Sequence, residues 1–242
     1  MLIELEWGPT GLRTLAERCP AIVIVDVLSF STSVSVAVSR GAVVWPHNGS
    51  DRAEELARAI GATLVRGRNN REGRTLSPAS LLDVAVGDRL VMPSLNGSAL
   101  STGSLMSGLN VVAGSLRNAR AVADWLAPRF DHVGLVPSGE QWADGSLRVA
   151  YEDLVGAGAV AARLRDLHLT VTLSPEADAA ARAFDTLRPL SQCPSGVELV
   201  ERGFAQDVEL AEQVDADNVV PVLRDGRYVA ADLTEKLGAE PV

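Results

Sequence analysis

Short β-branched runs separated by stretches of helical period do more than any other feature to fix what this chain can fold into. LIELEW (2–7) alternates like a half-buried strand, whereas IVIVDV (22–27) and AVVWP (42–46) are continuous enough to be central strands buried on both faces. RLVMP (89–93), NVVAG (110–114) and HVGLVP (132–137) are further strand candidates. Between them, residues 50–61, 97–107, 116–128 and 150–166 read as helices, the first with Ser50 or Asp51 as N-cap and Gly61 just past its end. Strands spaced by helices predict βαβ units and therefore an α/β fold, a mostly parallel or mixed sheet flanked by helices. In the tail, 174–189 and 205–214 are predicted helical, and NVVPVLRDGRYVAAD (218–232) reads as two strands around an Asp225-Gly226 hairpin turn. No internal repeat or Pro/Ser-rich linker interrupts the pattern, so residues 1–242 are expected to form one domain.

Composition narrows the function classes. With 242 residues, 47% of them hydrophobic, the chain can bury a substantial core. A net charge of −9 argues against general nucleic-acid binding, which depends on neutralising phosphates with a basic face. No apolar run approaches bilayer-spanning length, and Glu4 and Glu6 sit where a signal peptide would be basic or apolar, so neither a membrane nor a secretory route is expected. Cys19 and Cys193 lie far apart without a CxxC partner and read as reduced thiols of a cytoplasmic protein. His47, His132 and His168 show no metal-ligand spacing.

Ligands of open α/β sheets bind beyond the carboxyl ends of the strands. Four predicted strand ends carry polar residues: Asp26 with Ser29, Ser31 and Thr32; Ser94 with Asn96, Gly97 and Ser98; Gly114-Ser115 with Asn118; and Ser138-Gly139-Glu140. Singly, each is an ordinary cap or turn. Four in succession at one edge, near helix N-termini that favour anions, point to a phosphate or carboxylate site. Asp26 is the sharpest signal. A charge in an apolar interior costs several kcal/mol unless paired, so Asp26 either caps a turn or meets a ligand or metal at its strand end. RGRNNREGRTLSP (66–78) gathers Arg66, Arg68, Arg71 and Arg74 against a single Glu72 in a stretch with no hydrophobic period. It reads either as a solvated loop or as a clamp on an anionic ligand. Glu152 and Asp153 open a predicted helix, where they serve the helix dipole or, one of them, join Asp26 around Mg²⁺. Gly156 and Gly158, inside that helix, suggest close packing rather than a dinucleotide fingerprint.

VDVLSFSTS (25–33), LSP (76–78), SLNGSAL (94–100), GSLRNARAVA (114–123), PSGE with YEDLVGAGA (137–159), SGVELVERGF (195–204) and NVVPVL (218–223) together resemble the 2-phosphosulfolactate phosphatase (ComB-like) family over nearly the whole chain. That resemblance implies an α/β fold and Mg²⁺-dependent hydrolysis of a small anionic phosphate ester, 2-phosphosulfolactate, a step of coenzyme M biosynthesis. Position by position, it implies that Asp26, Glu152 and Asp153 are catalytic and hold the metal. By the same resemblance Asn96, Gly97, Ser98 and Asn118 contact phosphate; Ser31 and Thr32 at the first polar strand end are expected to join them, and Arg66 or Arg68 of the arginine loop to hold the second anion. Two motifs depart from the family. Its arginine after DVL is Ser29 here, followed by Phe30, and its GERGG is Gly67-Arg68-Asn69-Asn70. The alternative is a non-catalytic relative that binds a small phosphate or sulfonate. Assembly as a homo-oligomer is left open by the sequence. Asp26→Asn is expected to abolish activity with folding near normal.

Overall fold

In the computed structural model, which describes residues 1–49, 52–70, 72–104, 109–167 and 170–232, the run at 21–25 is an interior strand with every residue buried. The strands are β1 (Leu2–Leu5), β2 (Ala21–Val25), β3 (Val43–Asn48), β4 (Thr63–Leu64), β5 (Arg89–Ser94), β6 (Asn110–Gly114), β7 (His132–Pro137), β8 (Glu140–Gln141), β9 (Leu147–Arg148), β10 (Thr172–Leu173), β11 (Pro221–Arg224) and β12 (Arg227–Ala230). The helices are α1 (Gly8–Ala16), α2 (Phe30–Ser39), α3 (Ala53–Ile60), α4 (Gly97–Ser104), α5 (Ala119–Leu126), α6 (Tyr151–Leu167), α7 (Pro175–Asp185), α8 (Pro194–Glu201) and α9 (Ala205–Ala211). The main sheet has the order β10-β1-β7-β2-β6-β11-β12-β3-β5-β4, and β8-β9 form a separate small hairpin.

The two ends of the main sheet are parallel blocks. The tail hairpin β11-β12 joins them through antiparallel pairing, Val222 with Val112 on one side and Tyr228 with Val44 on the other. Asp225 and Gly226 both have positive φ (46° and 76°), as a tight two-residue hairpin turn requires. Alternation along β2 divides the core in two. Ala21, Val23 and Val25 pack with α5, α6 and α7, while Ile22 and Ile24 pack with α1, α2 and α4. Gly158 permits close approach of α6 and α7, since a Cβ there would stand 2.0 Å from the carbonyl oxygen of Ala180.

Several boundaries differ from the sequence reading. β3 alternates between buried and half-buried residues, because only one of its faces is covered as fully as those of β2. α2 forms from FSTSVSVAVS, a stretch whose valines and threonine favour a strand and whose serines are poor helix formers; complete burial of its first nine residues overrides propensity. α1 and α8, each opened by a proline in the first turn, carried no predicted helix. Ser50, Asp51, Arg71 and His168 lie outside the described residues.

Candidate active site

Beyond β2 the chain turns at Asp26, and its carboxylate ties two helices down. Oδ1 accepts the N–H of Phe30 (3.1 Å), the first residue of α2, and Oδ2 accepts the N–H of Gly97 (2.8 Å), the first of α4. Both helix N-termini therefore direct their positive ends at one buried carboxylate, as anion sites of this kind do. The carboxyl ends of β2, β5 and β7 meet here, because Asn96 after β5 donates to Glu140 Oε2 (3.1 Å) after β7. Gly97 is required by contact: a Cβ would lie 2.3 Å from Phe30 Cδ1 and 2.9 Å from Asp26 Oδ2.

Three further acids surround Asp26. Asp153 is buried on the first turn of α6, its two oxygens accepting the N–H groups of Val27 (2.7 Å) and Gly139 (2.9 Å). Glu152, also buried, accepts from Cys193 Sγ (3.2 Å) through one oxygen. Glu140 is half-buried. Burial first, and then repulsion from neighbouring acids, raises the carboxyls of Asp26, Asp153 and Glu140. Burial raises the Asp26 carboxyl above the ordinary range, although the Gly97 and Phe30 N–H groups and Arg68 oppose that and Glu152 adds to it. Asp153 is raised well above the range by burial and by Asp26 and Glu152. Glu140 is pushed up to about 7 by burial and by the charge on Asp26. Four carboxylates converging on so few cations form a locus of buried negative charge that a bound cation would relieve.

Next to these acids opens a cleft of about 640 Å³, lined by Arg68, Glu140, Trp142, Arg148, Ser195 and Arg202 among others. Arg68, only 14% exposed, is held by Asp207 (3.0 Å), and its guanidinium donates to Ser29 Oγ. Thus the arginine loop delivers a guanidinium to the very residue that replaces the family's arginine. Asp207 is itself buried and accepts from the Ser77 hydroxyl. Arg148 stacks on Trp142 and donates to Ser195 Oγ (3.1 Å).

The other residues expected at the site divide clearly. Ser31 Oγ donates to the Asp26 carbonyl, Thr32 Oγ1 to the Val27 carbonyl and Ser98 Oγ to the Met92 carbonyl; all three side chains are fully buried. Asn118 closes a capping box with Ser115 and donates to the Ala113 carbonyl. These four groups brace the loops behind the acids rather than face the cleft. Asn96 lines a neighbouring pocket of about 240 Å³ with Ser138, and Glu140 lines both that pocket and the cleft. Arg66 is turned away, making an exposed pair with Glu54 at 3.6 Å, and Arg74 pairs with Asp83. Glu140, Arg148, Arg202 and Asp207 are additions made by the fold. Glu140 alone carried a signal, as the acid of the fourth polar strand end.

Carboxylate oxygens are the right donors for a hard cation, and Mg²⁺ needs only one or two from a protein. Asp26 and Asp153 each have both oxygens accepting backbone N–H groups and would bind through their remaining lone pairs, whereas Glu152 keeps one oxygen without a hydrogen bond among the described residues. The four acids do not form a closed cage: among the described residues no three of them bring ligand atoms within 4.8 Å of one another.

Buried carboxylates gathered at the strand ends of an α/β sheet thus stand beside an arginine-lined cleft, the layout of an α/β enzyme with its site beyond the carboxyl ends of the strands. The profile of the 2-phosphosulpholactate phosphatase family matches residues 11–226, and the chain belongs to that family. It is similar to proteins described as "probable 2-phosphosulfolactate phosphatase" in Carboxydothermus hydrogenoformans (29% identical over 95% of this chain and 97% of the relative) and Pseudothermotoga lettingae (28% over 86% and 91%). A relative so described in Deinococcus radiodurans is 29% identical over 86% of this chain and 89% of its own.

Proposed function

We propose that this chain is a Mg²⁺-dependent phosphatase acting on a small phosphate monoester that carries further anionic groups, of the 2-phosphosulfolactate type. The observation that carries the reading is the clustering of Glu140, Glu152 and Asp153 around Asp26 beside a cleft that Glu140 shares with Arg68, Arg148 and Arg202. The acids would hold a cation that offsets phosphate charge, and the arginines beyond them would bind the remaining anionic groups.

Asp26 and Glu152 are assigned to the metal. Each Asp26 oxygen has a second lone pair beyond its N–H partner, and Glu152 keeps one oxygen without a hydrogen bond among the described residues. Mg²⁺, when bound, neutralises phosphate oxygens and acidifies a bound water. Asp153 positions the Val27 and Gly139 backbone around the site. Glu140, with its carboxyl near 7, accepts the proton of the attacking water, a pKa close to working pH being the efficient one for a general base. Arg68, immobilised by Asp207, orients the ester without having to be ordered on binding.

Phosphate release from 2-phosphosulfolactate and from 2-phospholactate, which lacks the sulfonate, tests the reading. Wild type should prefer the first, and Arg148→Ala and Arg202→Ala should erode that preference. Binding of both esters without turnover, in folded protein supplied with Mg²⁺, would contradict it.

A further inference from the structure

At the opposite end of the sheet, three residues remote in sequence come together. The pairing of β1 with β7 sets Leu2 beside His132 and Glu4 two residues further along, so His132 and Glu4 project from the same face. The turn after α1 brings Cys19 to that face, its N–H fixed on the Leu15 carbonyl (2.8 Å), and Cys19 packs in the core cluster beneath α1. His132 Nε2 stands 2.6 Å from Glu4 Oε2, and the Cys19 thiol is directed at the same oxygen at 3.9 Å. A ligand atom from each of the three lies within 4.8 Å of the other two, the only such group among the described residues. Cys19 is fully buried, while the Glu4 and His132 side chains are 21% and 23% exposed, which leaves a path from solvent.

We propose that Glu4, Cys19 and His132 form a Zn²⁺ site, with water in the fourth position. The set combines thiolate, imidazole and carboxylate, donors that suit a borderline-soft cation such as Zn²⁺ and are foreign to Mg²⁺. Bond lengths of 2.0–2.3 Å place tetrahedral ligands about 3–4 Å apart, so closure on the ion needs side-chain shifts of about 1 Å. Arg18 holds both Glu4 oxygens at 2.9 Å. A carboxylate offers about four lone-pair positions, so Arg18 orients Glu4 from outside while one lone pair remains for the metal. Two strands and the α1–β2 turn would then be stapled at one point. The site is separate from the acids: six residues, five of them the strand β2, divide Cys19 from Asp26, about 20 Å of extended chain. The inference therefore stands apart from the phosphatase reading.

The test titrates Co²⁺, as a spectroscopic stand-in for Zn²⁺, into the whole protein in excess Mg²⁺ to keep the acidic cluster occupied. A thiolate-to-cobalt charge-transfer band saturating at one equivalent and displaced by one equivalent of Zn²⁺ is expected for wild type and for Cys193→Ser, and absent for Cys19→Ser. His132→Asn, which leaves the core untouched, should weaken the competition-measured affinity roughly tenfold or more. No band in folded wild type, a band that survives Cys19→Ser, or an affinity unchanged in His132→Asn would overturn the proposal. A band lost in Cys193→Ser instead would move the metal to the Cys193–Glu152 contact and overturn it equally.

Discussion

Glu140→Gln should make the protein inactive and, as pH rises from about 4.5 through 7, progressively more stable than wild type. Raising the Glu140 carboxyl from its ordinary value of 4.5 to about 7 corresponds to about 3 kcal/mol set against ionisation in the folded state. The folded protein holds this proton more tightly than the unfolded chain. The favourable contribution is therefore complete below about 4.5 and is lost as pH rises through 7. Glutamine is a neutral isostere that keeps an acceptor for the Asn96 amide (3.1 Å in the wild type) and removes one repelling charge from beside Asp26. Because Glu140 is half-buried, solvent reduces the effect, and a gain of about 1–3 kcal/mol at pH 8.5 with a difference near zero at pH 5 is expected. Urea unfolding of both proteins in EDTA at the two pH values measures this directly. Adding Mg²⁺ at pH 8.5 should narrow the gap, since the cation relieves the wild type more. The same stability difference at pH 5 and pH 8.5 would refute the reasoning.

Asp26→Asn should lose activity but not fold as well as wild type. Asparagine can accept from only one of the Phe30 and Gly97 N–H groups and sets an amide NH₂ against the other, a loss of about 1–3 kcal/mol in denaturant unfolding. Arg68→Ala removes one charge-assisted contact, and kcat/KM should fall roughly 10- to 150-fold, the equivalent of about 1.5–3 kcal/mol. Arg66→Ala, which breaks only an exposed pair with Glu54, should match wild type in both kinetics and stability. Gly97→Ala should cost about 1–3 kcal/mol through its clash with Phe30 and reduce turnover by displacing Asp26.

The fold was legible where pattern and burial agree. The continuous apolar run of β2, the Asp225-Gly226 turn and the tight glycines of α6 all express local physics that a sequence displays. α2 was hidden because its valines and threonine prefer strands, its serines are poor helix formers, and only burial makes the stretch helical. At the site, Asp26 announced itself as a charge in an apolar run, and its two helix N-termini explain it. The seryl and amide groups around it looked like ligand contacts, since phosphate cradles and helix caps draw on the same residue types; Ser31, Ser98 and Asn118 are spent on the backbone. Arg148, Arg202 and Asp207 gave no local sign, because their roles depend on elements brought together from across the chain. Of the arginine loop, Arg68 reaches the cleft and Arg66 does not, a difference fixed by Asp207 139 residues away.

The most direct measurement is phosphate release from 2-phosphosulfolactate by wild type and Glu152→Gln, each with Mg²⁺ and with EDTA. Turnover by wild type that EDTA abolishes, returns with added Mg²⁺ and is lost in folded Glu152→Gln is the predicted result. Turnover that is indifferent to EDTA, or that survives Glu152→Gln unchanged, would contradict a metal-dependent acidic site.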